Sequence, residues 1–238
     1  MNETSLKTSW RQRLIIITIA VLLLGATVAT YVMIVLNGGG SNSASNEDQI
    51  AQLTEQYEAK TAELNAAAKP FSDKYFPTFS KYQSQVKAYN ETAATNAILK
   101  TEDLLAGTGK ELTDGDKDYL AYYIGWCADG TVFDSSFDNT GKESEQDATY
   151  LKAPLDPSSG LVDGWEQGVI GMKLGGVRVI TMNGDLAYGD TREVCGGYNK
   201  PLKFLVMPIA DDQQISTLTQ ELSDIRMQLI MAYYGTGN

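Results

Sequence analysis

Leu161-Val162-Asp163-Gly164-Trp165-Glu166-Gln167-Gly168-Val169 sets a tryptophan and a valine in a short helical run that follows Asp163. Upstream stand Tyr122-Tyr123-Ile124-Gly125-Trp126 and Gly130-Thr131-Val132-Phe133-Asp134-Ser135-Ser136. Downstream come Leu186-Ala187-Tyr188-Gly189 and an apolar strand containing Phe204. This order of aromatics and glycines reads as an apolar pocket built on a small antiparallel sheet.

From residue 97 to 210 the pattern is alternating rather than helical. Gly107-Thr108-Gly109, Asp114-Gly115-Asp116, Asp129-Gly130 and Asn183-Gly184-Asp185 are turn signals, and the stretches 119–126 and 177–182 are strand-like. The fold class is therefore α+β, an antiparallel sheet with few helices.

Conventional catalytic equipment is missing from the sequence. There is no His, neither Cys has a basic neighbour to activate it, and no Ser lies in a nucleophile elbow. Two Cys without a CxxC offer little to a metal, and the acidic segment 138–147 does not have the spacing of a calcium loop. No metal or cofactor is expected. What the segment offers is wall material: Tyr123, Phe133, Trp165, Tyr188 and Phe204. Each alone would be read as core, but aromatic pockets bind apolar ligands and orient them with few polar groups.

The ordered set resembles the FKBP family of peptidyl-prolyl isomerases, over roughly residues 98–209, and Leu99 to Gly109 is similar to that family's opening strand and turn. The resemblance implies an FKBP-like antiparallel sheet wrapped around a short helix, with Trp165 as the pocket floor, under the proline ring of a substrate. It makes Tyr123, Phe133, Leu161, Val162 and Phe204 the walls. It further implies that the Val162 N–H and the Tyr188 hydroxyl bind carbonyls of a peptide or a macrolide inhibitor, with Asp134 accepting hydrogen bonds beside them. Two departures stand out. Between Gly189 and Pro201 the chain lacks the family's Ile-Pro-Pro pattern, and Tyr198 is the candidate for the apolar contact of that loop. The stretch 149–155 replaces a strand that usually supplies another aromatic, and Leu151 is the candidate there. The resemblance also brings Cys127 and Cys195 near each other, as a candidate disulfide or as two unpaired thiols.

Residues 14–36 are uncharged and long enough for a transmembrane helix. Lys7, Arg11 and Arg13 precede the span and the first charge after it is Glu47, which places residues 1–13 in the cytoplasm and the remainder outside. A cleaved signal peptide ending near Ala29 is the alternative. Beyond the anchor, 16 basic and 29 acidic residues give a net −13, which disfavours nucleic acid as a partner.

Residues 37–46 read as a flexible linker. Ser45 or Asn46 can cap a helix whose stripe is Ile50, Leu53, Tyr57 and Leu64. Pro70 and Pro77 are expected to interrupt this 47–96 region, with a second helix over 79–92 presenting Phe79, Tyr82, Val86 and Tyr89. A C-terminal helix in 211–238 carries Ile215, Leu218, Leu222, Ile225 and Leu229. The flanking helices are expected to pack on each other, with a homodimer or a solvated stalk as alternatives.

Together these features lead to a membrane-anchored, extracytoplasmic prolyl isomerase of residues 97–210 that acts on proline-containing polypeptides of exported proteins. A chaperone-like binding module with the same pocket and a structural spacer are the competing readings.

Overall fold

The computed structural model describes residues 44–137 and 150–234. The expected span at 14–36, linker residues 37–43 and the acidic segment 138–147 lie outside the described residues. No helix among the described residues is long and apolar enough to cross a membrane. The chain divides into two compact units, one of residues 62–220 and one whose described parts are 44–61 and 221–234.

Helix α1 runs Ala44–Phe79 with Pro70 and Pro77 inside it, so the prolines do not interrupt it as the sequence led us to expect. A proline in a helix interior costs about 3 kcal/mol. Here burial offsets that cost, because Ala68 and Phe79 are buried in the sheet's core, and Leu64, Phe71, Tyr75 and Phe76 pack beside them. The helix starts ahead of the proposed Ser45 or Asn46 cap, and the Asn46 amide donates to the Ala232 carbonyl at 3.1 Å.

The helix expected over 79–92 is also replaced. A 3₁₀ turn spans Ser80–Gln85, the chain then extends, and α2 occupies Glu91–Asn96, capped by the Asn90 side chain accepting from the Ala93 N–H at 2.8 Å. Extension lets the backbone of this segment serve the sheet. The Tyr89 N–H donates to the Ala128 carbonyl at 2.8 Å, the Tyr89 hydroxyl to the Pro201 carbonyl at 2.9 Å, and Trp126 Nε1 to the Lys87 carbonyl at 3.1 Å. Tyr82, Val86 and Tyr89 still reach the core.

Five antiparallel strands follow: β1 Leu99–Leu105, β2 Tyr119–Trp126, β3 Val132–Ser135, β4 Val177–Met182 and β5 Leu202–Ala210. Their order is β1-β4-β5-β2-β3. Alternation along a strand sends neighbours to opposite faces, and β2 and β5 bury both. Leu120, Tyr122, Ile124 and Trp126 join Leu205, Met207 and Ile209 on the face covered by the end of α1. Tyr119, Ala121 and Tyr123 join Leu202, Phe204 and Val206 on the other.

That second face receives α3, Asp163–Gly168. The approach depends on two glycines one turn apart: a Cβ on Gly164 would lie 2.7 Å from Met182 Sδ, and one on Gly168 would lie 2.6 Å from Ile180 Cγ2. Between them Trp165 points into the sheet. The remaining helix, α4, spans Gln213–Tyr234 and is capped by Asp212, which accepts from the Gln214 and Ile215 N–H groups. In the smaller unit Leu53 packs with Ile225, Leu229 and Ala232, flanked by Ile50 and Tyr57.

Candidate active site

The five aromatics picked out in the sequence meet on the α3 face of the sheet. Trp165 and Phe204 are buried and form the bottom, with ring centroids 5.3 Å apart and planes at 72°. Phe204 is thus floor rather than wall. Tyr123 stands edge-on to Trp165 at 5.5 Å, and Phe133 is edge-on to Phe204 at 5.6 Å and to Tyr188 at 6.5 Å. Such tilted and T-shaped pairs suit the ring quadrupoles. Tyr123, Phe133, Leu161, Val162 and Tyr188 are half-buried, so the aromatic floor is open between them.

Local sequence explains how each is held. Gly125 lies on the pocket face of β2, where a Cβ would fall 2.6 Å from Phe133 Cζ and 2.8 Å from Phe204 Cε1; only a missing side chain lets both rings close over the strand. The Trp165 indole Nε1 donates to the Tyr119 hydroxyl at 3.3 Å, which answers the polar atom of a buried tryptophan. Tyr119 was not singled out in the sequence, because strand alternation marks it only as apolar. The N-terminus of α3 is tied to the turn that carries Tyr188 through the Gly164 N–H and the Leu186 carbonyl, 2.8 Å apart.

Polar groups ring the floor sparingly. The Tyr123 hydroxyl donates to Asp134 Oδ2 at 2.7 Å while Asp134 Oδ1 accepts from the Ser135 N–H at 2.9 Å. Burial first, then the Asp134 charge and its hydrogen bond, push the Tyr123 hydroxyl far above its ordinary pKa, so it remains a donor. Burial likewise raises Tyr188, against the opposing charge of Arg192. Among the described residues neither the Tyr188 hydroxyl nor the Val162 N–H has a hydrogen-bond partner. Both are available to a ligand.

Two proposed contacts are corrected. Leu151 is buried on the opposite face, in the cluster with Phe79 and Phe137, and is bridged to Phe137. Its N–H donates to Ser72 Oγ at 2.8 Å. The apolar side chain that the connection brings to the pocket face is Leu155, paired with Ala121. Tyr198 stands 56% exposed and outside the pocket cluster, whose contribution from that loop is Val194 with Cys195. The loop is fastened instead by a disulfide between Cys127 and Cys195, Cα atoms 5.5 Å apart. Among the described residues no group of His, Cys, Asp and Glu is arranged to hold a metal ion.

The chain is similar in sequence to known proteins. The model of the FKBP-type peptidyl-prolyl cis-trans isomerase family matches residues 109–207. An FK506-binding protein of Neisseria meningitidis serogroup B is 37% identical over 94 residues, covering 38% of this chain and 74% of that protein. The peptidyl-prolyl cis-trans isomerase Mip of Chlamydia trachomatis is 34% identical over 148 residues, covering 60% of this chain and 55% of that protein.

Proposed function

Because the chain belongs to the family of FKBP-type peptidyl-prolyl cis-trans isomerases and is such an isomerase, we propose that it works outside the cytoplasm, tethered by residues 14–36, on proline-containing segments of exported proteins. The observation that carries the tether is the uncharged stretch 14–36 behind Lys7, Arg11 and Arg13. The disulfide between Cys127 and Cys195 agrees with an oxidising compartment.

The pocket suits the chemistry. Rotation about an X-Pro amide breaks no covalent bond, and its barrier of about 18 to 20 kcal/mol is lost resonance. An aromatic floor of Trp165 and Phe204 excludes water and favours the twisted amide, which is less polarised than the planar one. The Val162 N–H and the Tyr188 hydroxyl would hold substrate carbonyls as the bond turns, with the wall beside them held by the hydrogen bond from Tyr123 to Asp134. No proton need move. Binding that is stronger in the twisted state than in the planar one lowers the barrier, about tenfold in rate for each 1.36 kcal/mol. A macrolide that presents carbonyls to the same two donors would compete for the floor.

A second reading, a binding module that holds unfolded chains with little turnover, draws on the loop after Tyr188, where Tyr198 lies outside the pocket. An NMR exchange or protease-coupled assay with an Ala-Pro peptide separates the two. Catalysis that falls with Trp165→Ala and Tyr188→Phe supports the isomerase, while aggregation suppression that survives both substitutions supports the binding module. Reporter fusions after residue 46 test the topology. Activity of a periplasmic-type reporter there is expected, and activity of a cytoplasmic reporter alone would refute the tether as drawn.

A further inference from the structure

The loop that leaves Tyr188 curls back onto it. The Tyr188 carbonyl accepts from both the Thr191 N–H at 3.1 Å and the Thr191 hydroxyl at 2.6 Å, which closes a tight turn and brings Arg192 over the tyrosine. The guanidinium carbon lies 4.7 Å from the Tyr188 ring centroid. Phe133 meets the same ring edge-on, so Tyr188 is held by an aromatic edge and by a cation.

The rest of the loop keeps Arg192 in place. At its base the Asn199 N–H donates to the Gly189 carbonyl at 2.7 Å. At its tip Val194 and Gly197 exchange both backbone hydrogen bonds, around Cys195 at φ 57° and Gly196 at φ 75°, two left-handed residues in the manner of a hairpin turn. Cys195 is bonded to Cys127 at the end of β2. An exposed arginine on a free loop would sample many rotamers. Here the base, the tip and the Thr191 turn all restrain the backbone on either side of it.

We propose that Arg192 is a positioning residue for isomerisation: its guanidinium, stacked on Tyr188, fixes the ring and strengthens the hydroxyl as the hydrogen-bond donor to the substrate carbonyl. A positive charge beside a phenol favours loss of its proton and so makes the O–H a better donor, and a cation over a tyrosine face is itself attractive. The charge that acts against it is Asp134, beside the pocket; the other acidic residues flanking Arg192 on the loop, Asp190 and Glu193, are exposed to solvent. The inference rests on the isomerase reading of the pocket.

The test uses the full chain and an uncharged Ala-Pro peptide. Arg192→Gln is expected to lower kcat/KM by about five- to tenfold, chiefly through kcat, and Arg192→Lys, which keeps a cation over the ring, to recover most of it. In a Tyr188→Phe background Arg192→Gln should change the rate by less than about twofold, because the coupled partner is gone. Independently of turnover, the alkaline ionisation of Tyr188 is read from the absorbance difference between chains with and without Tyr188→Phe. It should move to higher pH in Arg192→Gln. A wild-type rate in Arg192→Gln, an equal loss with and without the Tyr188 hydroxyl, or an unmoved ionisation would each overturn the proposal. So would a loss seen only with Glu-Pro peptides, since Arg192 would then read substrate charge directly. An inactive wild-type chain would overturn the isomerase reading instead, and the ionisation would still decide whether Arg192 acts on Tyr188.

Discussion

Arg178 grips Asp103 through two hydrogen bonds, Nε to Oδ1 at 2.6 Å and Nη2 to Oδ2 at 3.0 Å, while its Nη1 donates to the Gly168 and Ile170 carbonyls at 2.8 and 3.0 Å. One buried side chain on β4 thereby ties the edge strand β1 to the C-terminal end of α3, the helix that holds Trp165. A cation at that end also meets the negative pole of the helix.

Arg178→Met should destabilise the protein strongly, because two helix-end carbonyls lose their donor at about 1 to 3 kcal/mol each, and Trp165 should loosen with them. Asp103→Ala should cost less, about 1 kcal/mol, since its carboxylate is largely exposed and screened. The hydrogen bond from Arg178 lowers the Asp103 pKa. Its contribution is therefore present above the ordinary carboxylate pKa and lost as pH falls through the depressed one. Urea unfolding at pH 7 and pH 3 checks the sign: the gap between the wild type and Asp103→Ala should shrink in acid.

Isomerase activity should be flat between about pH 6 and pH 9. The chain has no His, and burial raises both pocket phenols, Tyr123 and Tyr188, so each stays a donor through that range. A bell-shaped profile of kcat/KM centred near neutrality would show that another group carries the reaction. Tyr123→Phe, which removes the hydrogen bond to Asp134, should lower kcat/KM several-fold and stability by about 1 kcal/mol.

How much of this was legible beforehand follows from what a sequence can encode. Tyr123, Phe133, Trp165, Tyr188 and Phe204 could be placed together because their order, with glycines beside several of them, resembles the FKBP family; taken singly, each reads only as core. Leu151 could not. It sits in a connection without a period, where a shift of four residues separates the outer-face Leu151 from the pocket-face Leu155. The partnership of Asp103 and Arg178 spans 75 residues and exists only once β1 and β4 are in register. The prolines of α1 misled for the opposite reason: local propensity argued for a break, and burial of Phe79 and Ala68 against the sheet outweighed it.

Reduction of the disulfide between Cys127 and Cys195 should destabilise the protein by about 4 kcal/mol, the chain-entropy value for a closure of this sequence separation, 68 residues. Cys127→Ser with Cys195→Ser should show the same loss in denaturant. If stability is unchanged while the loop from Tyr188 to Asn199 becomes protease-sensitive, the bond restrains the loop and not the domain.

Tyr122→Phe should stabilise. The Tyr122 hydroxyl is buried on the outer face of the sheet, beside Tyr75 at 6.1 Å between centroids, and has no hydrogen-bond partner among the described residues. A buried, unpaired hydroxyl costs about 1 to 3 kcal/mol, and the phenylalanine ring would fill the same space. A raised midpoint with an unchanged denaturant slope is the expected result; a lowered midpoint would mean that the hydroxyl has a partner, such as a bound water.

The residues ahead of the sheet belong to its core, so a chain cut to residues 97–210 should not fold well. Phe79 stacks on Phe137 at 5.5 Å with planes 11° apart, and Phe76 meets Phe137 edge-on at 5.9 Å. Without them the outer face of β2 and β5 presents Tyr122, Ile124, Trp126, Leu205 and Met207 to water, a continuous apolar surface of the kind that aggregates. Residues 62–220, the compact unit itself, should give a soluble, cooperatively unfolding protein with isomerase activity, whereas 97–210 should bind a hydrophobic dye and precipitate. Phe79→Ala in the longer chain should already cost about 3 to 5 kcal/mol. Equal stability of the two fragments would show that the helix covers the sheet without supporting it.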